Sequence, residues 1–322
     1  MMYREWHGLC LFSRGGQFPP DAREAAQPFS PLVILENRPA KDSSGLRFIR
    51  SARELGEPDG LARLMPCRAD APVLPPEVRA LIEKDGAIVL NTAFSRAFSV
   101  LSAQLARKKS GLRVNLVGLG DVGGTVLTGL KLLGGGCIGT IGIFDPYEPL
   151  MARYAMELGQ VLPLYDNEAL PEVSVCREPD LFHCDVLIFT ASRGVPAVGS
   201  SVQDVRMAQF AKNREMLRAY ARRAREENFC GLFCQVSDPV DPLARALFLD
   251  SNRAQSGEYD FAGLLPEQVR GFGLGVMQAR AAYAAGQLGA DFSRGRAFGP
   301  HGEGLIVCND PNDGYDAALS LA

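Results

Sequence analysis

Three glycines in the run Gly118-Leu119-Gly120-Asp121-Val122-Gly123 give the sharpest chemical signal in the chain. Their spacing suits binding of a dinucleotide pyrophosphate. Gly118 permits a tight turn, Gly120 lets backbone approach the phosphates, and Gly123 lets the following helix pack on the preceding strand, so that helix N–H groups face the anion. Such a motif alone is common. Here it follows the apolar stretch Val114-Asn115-Leu116-Val117 and opens a helical pattern, the context its chemistry requires. Asp121 and Val122, in the first turn of that helix, join the glycines as expected cofactor contacts. The next apolar stretch, Ile141-Gly142-Ile143-Phe144, ends in Asp145, where a carboxylate accepts hydrogen bonds from a ribose diol and repels a 2′-phosphate, favouring NAD over NADP. Thr190 at the end of a later strand, with Ala191 and Ser192 after it, completes the expected contacts at the carboxyl end of the sheet. A glycine-rich turn without a ligand is the alternative reading.

The elements that must position these residues form a regular pattern from Arg113 onward. Strands are expected at 114–117, 139–144, 173–176, 185–190 and 231–236, with helices at 122–133, 148–158 and 202–227. A further helix is expected at 274–288 and a strand near 304–308. Alternating strand and helix builds a parallel sheet with helices on its faces. The fold class is therefore α/β, a Rossmann-type doubly wound parallel sheet. Residues 1–110 read differently, as an N-terminal α+β segment of unknown role with prolines between short apolar runs such as Leu32-Val33-Ile34-Leu35. A short helix at 76–84, a strand at 87–90 and an amphipathic helix at 92–108 are expected there, but no fold follows from them. Three consecutive parts result: 1–110, a dinucleotide-binding domain at 111–250, and a reduced catalytic portion at 251–322.

The 322 residues are 47% hydrophobic and 22% charged, a composition that buries a substantial core. A formal net charge of -3 gives no general attraction for polyanions, which argues against nucleic acid and anionic membranes as partners. No apolar run reaches the roughly 18 residues of a membrane span, and Arg4, Glu5 and His7 interrupt any leader-like stretch, so a soluble, cytoplasmic protein is expected. The eight cysteines include no Cys-x-x-Cys, so neither a metal site nor a disulfide framework is expected, and buried thiols are the plain reading.

Five blocks in order complete the pattern: Val117-Gly118-Leu119-Gly120-Asp121-Val122-Gly123; Asp185-Val186-Leu187-Ile188-Phe189-Thr190-Ala191; Val236-Ser237-Asp238-Pro239-Val240-Asp241; Gly271-Phe272-Gly273 through Ala279-Arg280; and Gly299-Pro300-His301-Gly302. With them the chain resembles the lactate/malate dehydrogenase family over residues 113 to about 308. The resemblance implies NAD-dependent hydride transfer on a small 2-hydroxy or 2-keto acid, and a homo-oligomer. It places His301 as the acid/base that exchanges a proton with the substrate oxygen. Arg280 falls where a guanidinium grips the substrate carboxylate in a two-pronged bond, and Arg206 where a mobile-loop arginine polarises the reacting carbonyl.

Three departures qualify the transfer. Met277 stands three residues before Arg280, where the family has the aspartate that orients the histidine. Asp238 stands in place of the asparagine of the family's Asn-Pro dipeptide. The chain also ends twenty-one residues after His301, short of the family's usual catalytic domain. A relocated carboxylate reconciles the first two, with Asp238 pairing with the imidazole of His301 and so acting in catalysis. The bland readings stand beside these: His301 as a structural loop histidine, Arg280 as a helix-surface residue, Arg206 as part of a basic face with Arg214, Arg218, Arg222 and Arg223, and Asp238 as a helix start. A catalytically diverged NAD-binding sensor or scaffold is the competing function. Malate-type and lactate-type substrates are both open, because the loop 193–203 holds few charges that would choose between them.

Overall fold

Residues 3–60, 72–107, 110–163, 169–194, 205–302, 304–312 and 314–321 are described by the computed structural model. They form two compact units. The first contains residues 1–108, 221–232 and 248–269; the second contains 109–220, 233–247 and 270–322.

In the first unit the short apolar runs become strands β1 (Tyr3–Trp6), β2 (Leu9–Ser13), β3 (Arg23–Ala25), β4 (Leu32–Glu36) and β5 (Leu46–Ile49), followed by helix α1 (Pro76–Asp85), strand β6 (Ala87–Asn91) and helix α2 (Ala97–Ala106). They make a six-stranded sheet in the order β3-β1-β2-β4-β6-β5, in which β2, β4 and β6 run parallel. Its centre is buried on both faces, as near-continuous apolar strands require. Alternate residues point opposite ways. Leu9, Leu11, Val33, Leu35 and Leu90 enter one core with Val100 and Leu101 of α2, while Cys10, Phe12, Leu32, Ile34 and Val89 enter the other with Val78 and Ile82 of α1. Pro76 opens α1 where its missing N–H costs nothing, and Gly86 at φ +77° ends it.

The second unit opens with β7 (Leu112–Val117), α3 (Asp121–Leu133), β8 (Ile138–Phe144), α4 (Glu148–Gly159), β9 (Glu172–Val175) and β10 (Val186–Phe189). The long helix α5 (Val205–Glu226), β11 (Leu232–Gln235), α6 (Val240–Ser251) and β12 (Val269–Gly271) follow along the chain, with residues 221–226 of α5 and 248–251 of α6 belonging to the first unit. The chain closes through α7 (Leu274–Gln287), β13 (Arg296–Phe298), β14 (Ile306–Cys308) and α8 (Ala317–Leu321). The second sheet has the order β12-β11-β10-β7-β8-β9, and β10, β7, β8 and β9 pair in parallel. Leaving β7 on one side for β8 and on the other for β10 is the doubly wound arrangement expected from the sequence. It opens a crevice at the carboxyl end of β7.

Two expectations need correction. The helix at 92–108 begins only at Ala97, because residues before it bond elsewhere: the Thr92 N–H reaches the Glu36 carbonyl at 2.8 Å and the Ala93 N–H reaches Asn91 Oδ1 at 3.1 Å. The three consecutive parts also do not coincide with the compact units. Phe248 and Leu265, far along the chain, lie in the same core as Leu11 and Leu35, and Glu267 accepts the Gly45 N–H at 3.1 Å and the Leu46 N–H at 3.1 Å. Residues 202–204 of the long helix expected at 202–227 lie outside the described residues. Among those described, no helix is long and apolar enough to cross a membrane, and no group of three or more His, Cys, Asp or Glu side chains is placed to hold a metal.

Candidate functional site

The turn between β7 and α3 is built by what its glycines lack. Gly118 has φ +94°, and a side chain there would also meet the Ala191 backbone at 2.6 Å. At Gly123 a Cβ would fall on the carbonyl oxygen of Gly118, so only glycine lets α3 sit this close to the strand. Gly120 is different: nothing lies within 4 Å of the Cβ it would carry. That open space faces the start of α3, whose N-cap is Gly120 and whose first turn has no side-chain cap. An anion fits there, since uncapped N–H groups and the positive end of the helix are available to it. Asp121 and Val122 are exposed beside that opening.

Asp145 stands at the tip of β8, beside the turn, and already makes two bonds. Its Oδ2 accepts the Leu119 N–H at 2.9 Å and its Oδ1 the Tyr147 N–H at 2.9 Å. A carboxylate has about four lone-pair sites, so capacity for a diol remains. Beyond the ribose contact expected from its position, Asp145 therefore also braces the turn. Thr190 does similar work from β10, its hydroxyl lying 2.7 Å from the Gly118 carbonyl and 3.0 Å from that of Val117. Ala191 backs the turn, and its carbonyl accepts the Ser237 hydroxyl at 2.6 Å.

Ser192 and Arg193 are held by Asn213 of α5, which is fully buried. Asn213 Oδ1 accepts the Arg193 N–H at 2.9 Å, and its Nδ2 donates to the Ser192 hydroxyl at 3.3 Å and to the Asp238 carbonyl at 2.8 Å. One amide thereby ties the loop after β10 to the segment entering α6. Residue type and spacing do not single out Asn213, because polar residues such as Gln209 and Glu215 share its basic helix.

His301, Asp238 and Arg206 come together at that segment. His301 Nδ1 lies 3.1 Å from Asp238 Oδ1, the side chains being 10% and 52% exposed. The approach is an ion-pair distance rather than an aligned hydrogen bond, and Nδ1 has no other partner. The His301 N–H donates to Asp241 Oδ2 at 2.6 Å, which fixes the backbone of the loop against the first turn of α6. The ring lies against Gly273, where any Cβ would meet His301 Cγ at 2.7 Å. Arg206 Nη1 reaches the His301 carbonyl at 3.5 Å, passing over Gly302. Asp241 and Gly273 lie inside the quoted sequence blocks, yet residue type alone did not reveal their contacts.

Arg280 stands apart. It is exposed on α7 and makes no hydrogen bond or ion pair among the described residues. Seven residues beyond Gly273, it lies on nearly the same helix face, about 10 Å farther along the axis. Met277 lies between them, half-buried. The substrate-choosing loop 193–203 falls mostly outside the described residues. With an uncapped helix start, a carboxylate at the strand tip and an imidazole beside a carboxylate, the second unit can bind a dinucleotide and move a proton.

No family model matches the chain. Its sequence is similar to that of a malate dehydrogenase from Sulfurimonas denitrificans, 27% identical over 199 residues, which is 61% of this chain and 56% of that protein. The chain thus spans little more than half the length of the curated relative it matches. The sequence likeness agrees with the family resemblance carried by the five blocks. Solved structures that it resembles include the malate dehydrogenase from Archaeoglobus fulgidus in complex with NADH (TM-score 0.48, 19% identical, 65% of this chain and 66% of that one). Another is a minor L-lactate dehydrogenase from Enterococcus mundtii (TM-score 0.47, 19% identical, 62% and 58%).

Proposed function

We propose that this lactate/malate dehydrogenase-like chain is an NAD-dependent oxidoreductase that interconverts a small 2-hydroxy acid and its 2-keto acid. The observation that carries the reading is the approach of His301 Nδ1 to Asp238 Oδ1 at 3.1 Å, in the same unit as an uncapped glycine-rich helix start. Gly118, Gly120, Asp121, Val122 and Gly123 would hold the pyrophosphate, Asp145 the ribose, and Thr190, Ala191 and Ser192 the nicotinamide side. Bound there, NAD(H) supplies the hydride acceptor or donor.

The chain's own residues supply the rest. Asp238 faces Nδ1 at 3.1 Å and orients the ring, which leaves Nε2 as the atom that gives a proton to the keto oxygen or takes one from the hydroxyl. Arg206 stabilises charge developing on that oxygen, and Arg280 binds the substrate carboxylate through two parallel N–H bonds. Asp238 thereby replaces the carboxylate that Met277 cannot provide.

The test follows absorbance of reduced nicotinamide with NADH and a panel of 2-keto acids, alongside calorimetric titration with NAD. Turnover of one acid supports the proposal and names the substrate. Binding without turnover selects the diverged NAD-binding sensor, and absence of binding sinks both.

A further inference from the structure

The other candidates in the molecule do not carry a role. A cavity of about 490 Å³ between Tyr3, Pro28, Glu77, Leu81 and Lys84 is open, and its Tyr3 hydroxyl is already bonded to Glu77 at 2.8 Å. The cluster of Arg14, Arg38 and Arg47 with Glu36 and Asp59 is paired within itself. Arg96 is not paired in this way.

Arg96 precedes α2 in the first unit, is only 7% exposed, and meets no carboxylate among the described residues. Its Nη2 donates to the Phe229 carbonyl at 3.2 Å and to Cys230 Sγ at 3.4 Å. Its Nη1 is buried with no partner. A guanidinium stays protonated in a protein, so burying one without a counter-charge is costly. Burial pushes the Arg96 guanidinium below its usual range and nearby Arg225 adds to that, while Cys230 alone acts in the opposite direction. Arg107 Nη2 adds a further cation near this point, donating to the Cys230 carbonyl at 3.2 Å.

Cys230 is itself half-buried, so reagents reach it. Several other thiols among the described residues have different surroundings. Burial pushes Cys184 and Cys234 up to about 12 and raises Cys10 and Cys176 as well, which suppresses the nucleophilic form. Cys137 is exposed and has no cation beside it among the contacts of its sulfur.

We propose that Cys230 is a modification site, a thiol made reactive toward hydroperoxides and other soft electrophiles by the Arg96 guanidinium. Negative sulfur is the attacking species, and a fixed cation 3.4 Å away stabilises it. The sulfur lone pair attacks the terminal peroxide oxygen, the O–O bond breaks, and the departing hydroxide or alkoxide takes up the thiol proton as water or alcohol. Cys230 is oxidised to the sulfenic acid and the hydroperoxide is reduced. The new oxygen gives Arg96 Nη1 the acceptor it lacks. A competing arrangement exists: the Cys230 thiol can donate to the Asn228 carbonyl at 3.3 Å, and a thiol held as a donor there is inert. This inference does not depend on the proposed dehydrogenase reaction.

The test treats the full chain with limiting iodoacetamide, and separately with hydrogen peroxide followed by dimedone, and maps the adducts by mass spectrometry. Cys230 is expected to react roughly tenfold or more faster than Cys137 although less exposed. Arg96→Met should bring Cys230 to or below the rate of Cys137, while Arg96→Lys retains part of the difference. If Arg96→Met disturbs folding, the wild-type competition decides alone. Cys230 reacting no faster than Cys137, or at an unchanged rate in a folded Arg96→Met protein, overturns the proposal.

Discussion

In the proposed reaction His301 trades protons with substrate, and the carboxylate facing its Nδ1 among the described residues is that of Asp238, 3.1 Å away. Asp241 and Gly273 position the ring from behind, one through the backbone N–H and the other by leaving room. If Asp238 performs the role proposed, Asp238→Asn keeps the size of the side chain and removes its charge. kcat for keto-acid reduction should then fall by about 10²-fold, with NADH binding by calorimetry unchanged. Unaltered turnover in that variant would leave Asp238 as a helix start and return the role of His301 to question. The residue types at this site were legible from the sequence, including the exchange of carboxylate between two positions. Their contacts were not, because Asp241, Gly273 and Asn213 act through backbone atoms and free space that residue type does not encode.

At the scale of elements, most of the second unit was legible. Its strands and helices alternate with clear apolar runs, and observed boundaries such as Asp121–Leu133 and Glu148–Gly159 lie within a residue of expectation. Elements failed to announce themselves where tertiary bonds override local preference, as at Thr92 to Arg96 before α2. The β7-to-α3 turn separates binding from folding in a testable way. Gly120 has ordinary φ and open space, so Gly120→Ala should leave the melting temperature unchanged. It should weaken NAD binding on the order of tenfold, because the added methyl occupies the place of the phosphates. Gly123→Ala drives a methyl into the Gly118 carbonyl and should cost about 1–3 kcal/mol of stability, seen as a lower melting temperature even without ligand. Equal effects of the two substitutions on stability would contradict this division of labour.

At the scale of the whole molecule, the first unit is assembled from three stretches of chain, which no local pattern reveals. Its later stretches are fastened by charge as well as packing. Arg225 grips Asp260 through two bonds of 2.6 Å, and that pairing, together with the Ala262 N–H, holds the Asp260 carboxyl below its ordinary 3.8. A depressed carboxylate contributes stability above its unfolded pKa and loses it as pH falls through the folded one. Asp260→Asn should therefore lower the melting temperature modestly at pH 7, the pair being partly exposed. The gap to wild type should close below about pH 3.8. A gap that persists in acid would assign the effect to packing instead. Packing is what an isolated 1–110 fragment tests. It retains all of β1 to β6 but lacks Phe248 and Leu265 from the core, and lacks Glu267, which accepts the Gly45 and Leu46 N–H groups beside β5. Apolar side chains of that size contribute about 1.5–3 kcal/mol each when buried, a large part of the net stability of so small a unit. The fragment should keep far-UV circular dichroism, lose near-UV signal and bind a hydrophobic dye, whereas the full chain should not bind it. Cooperative unfolding of the fragment at the temperature of the full chain would mean that residues 221–232 and 248–269 decorate this core rather than complete it.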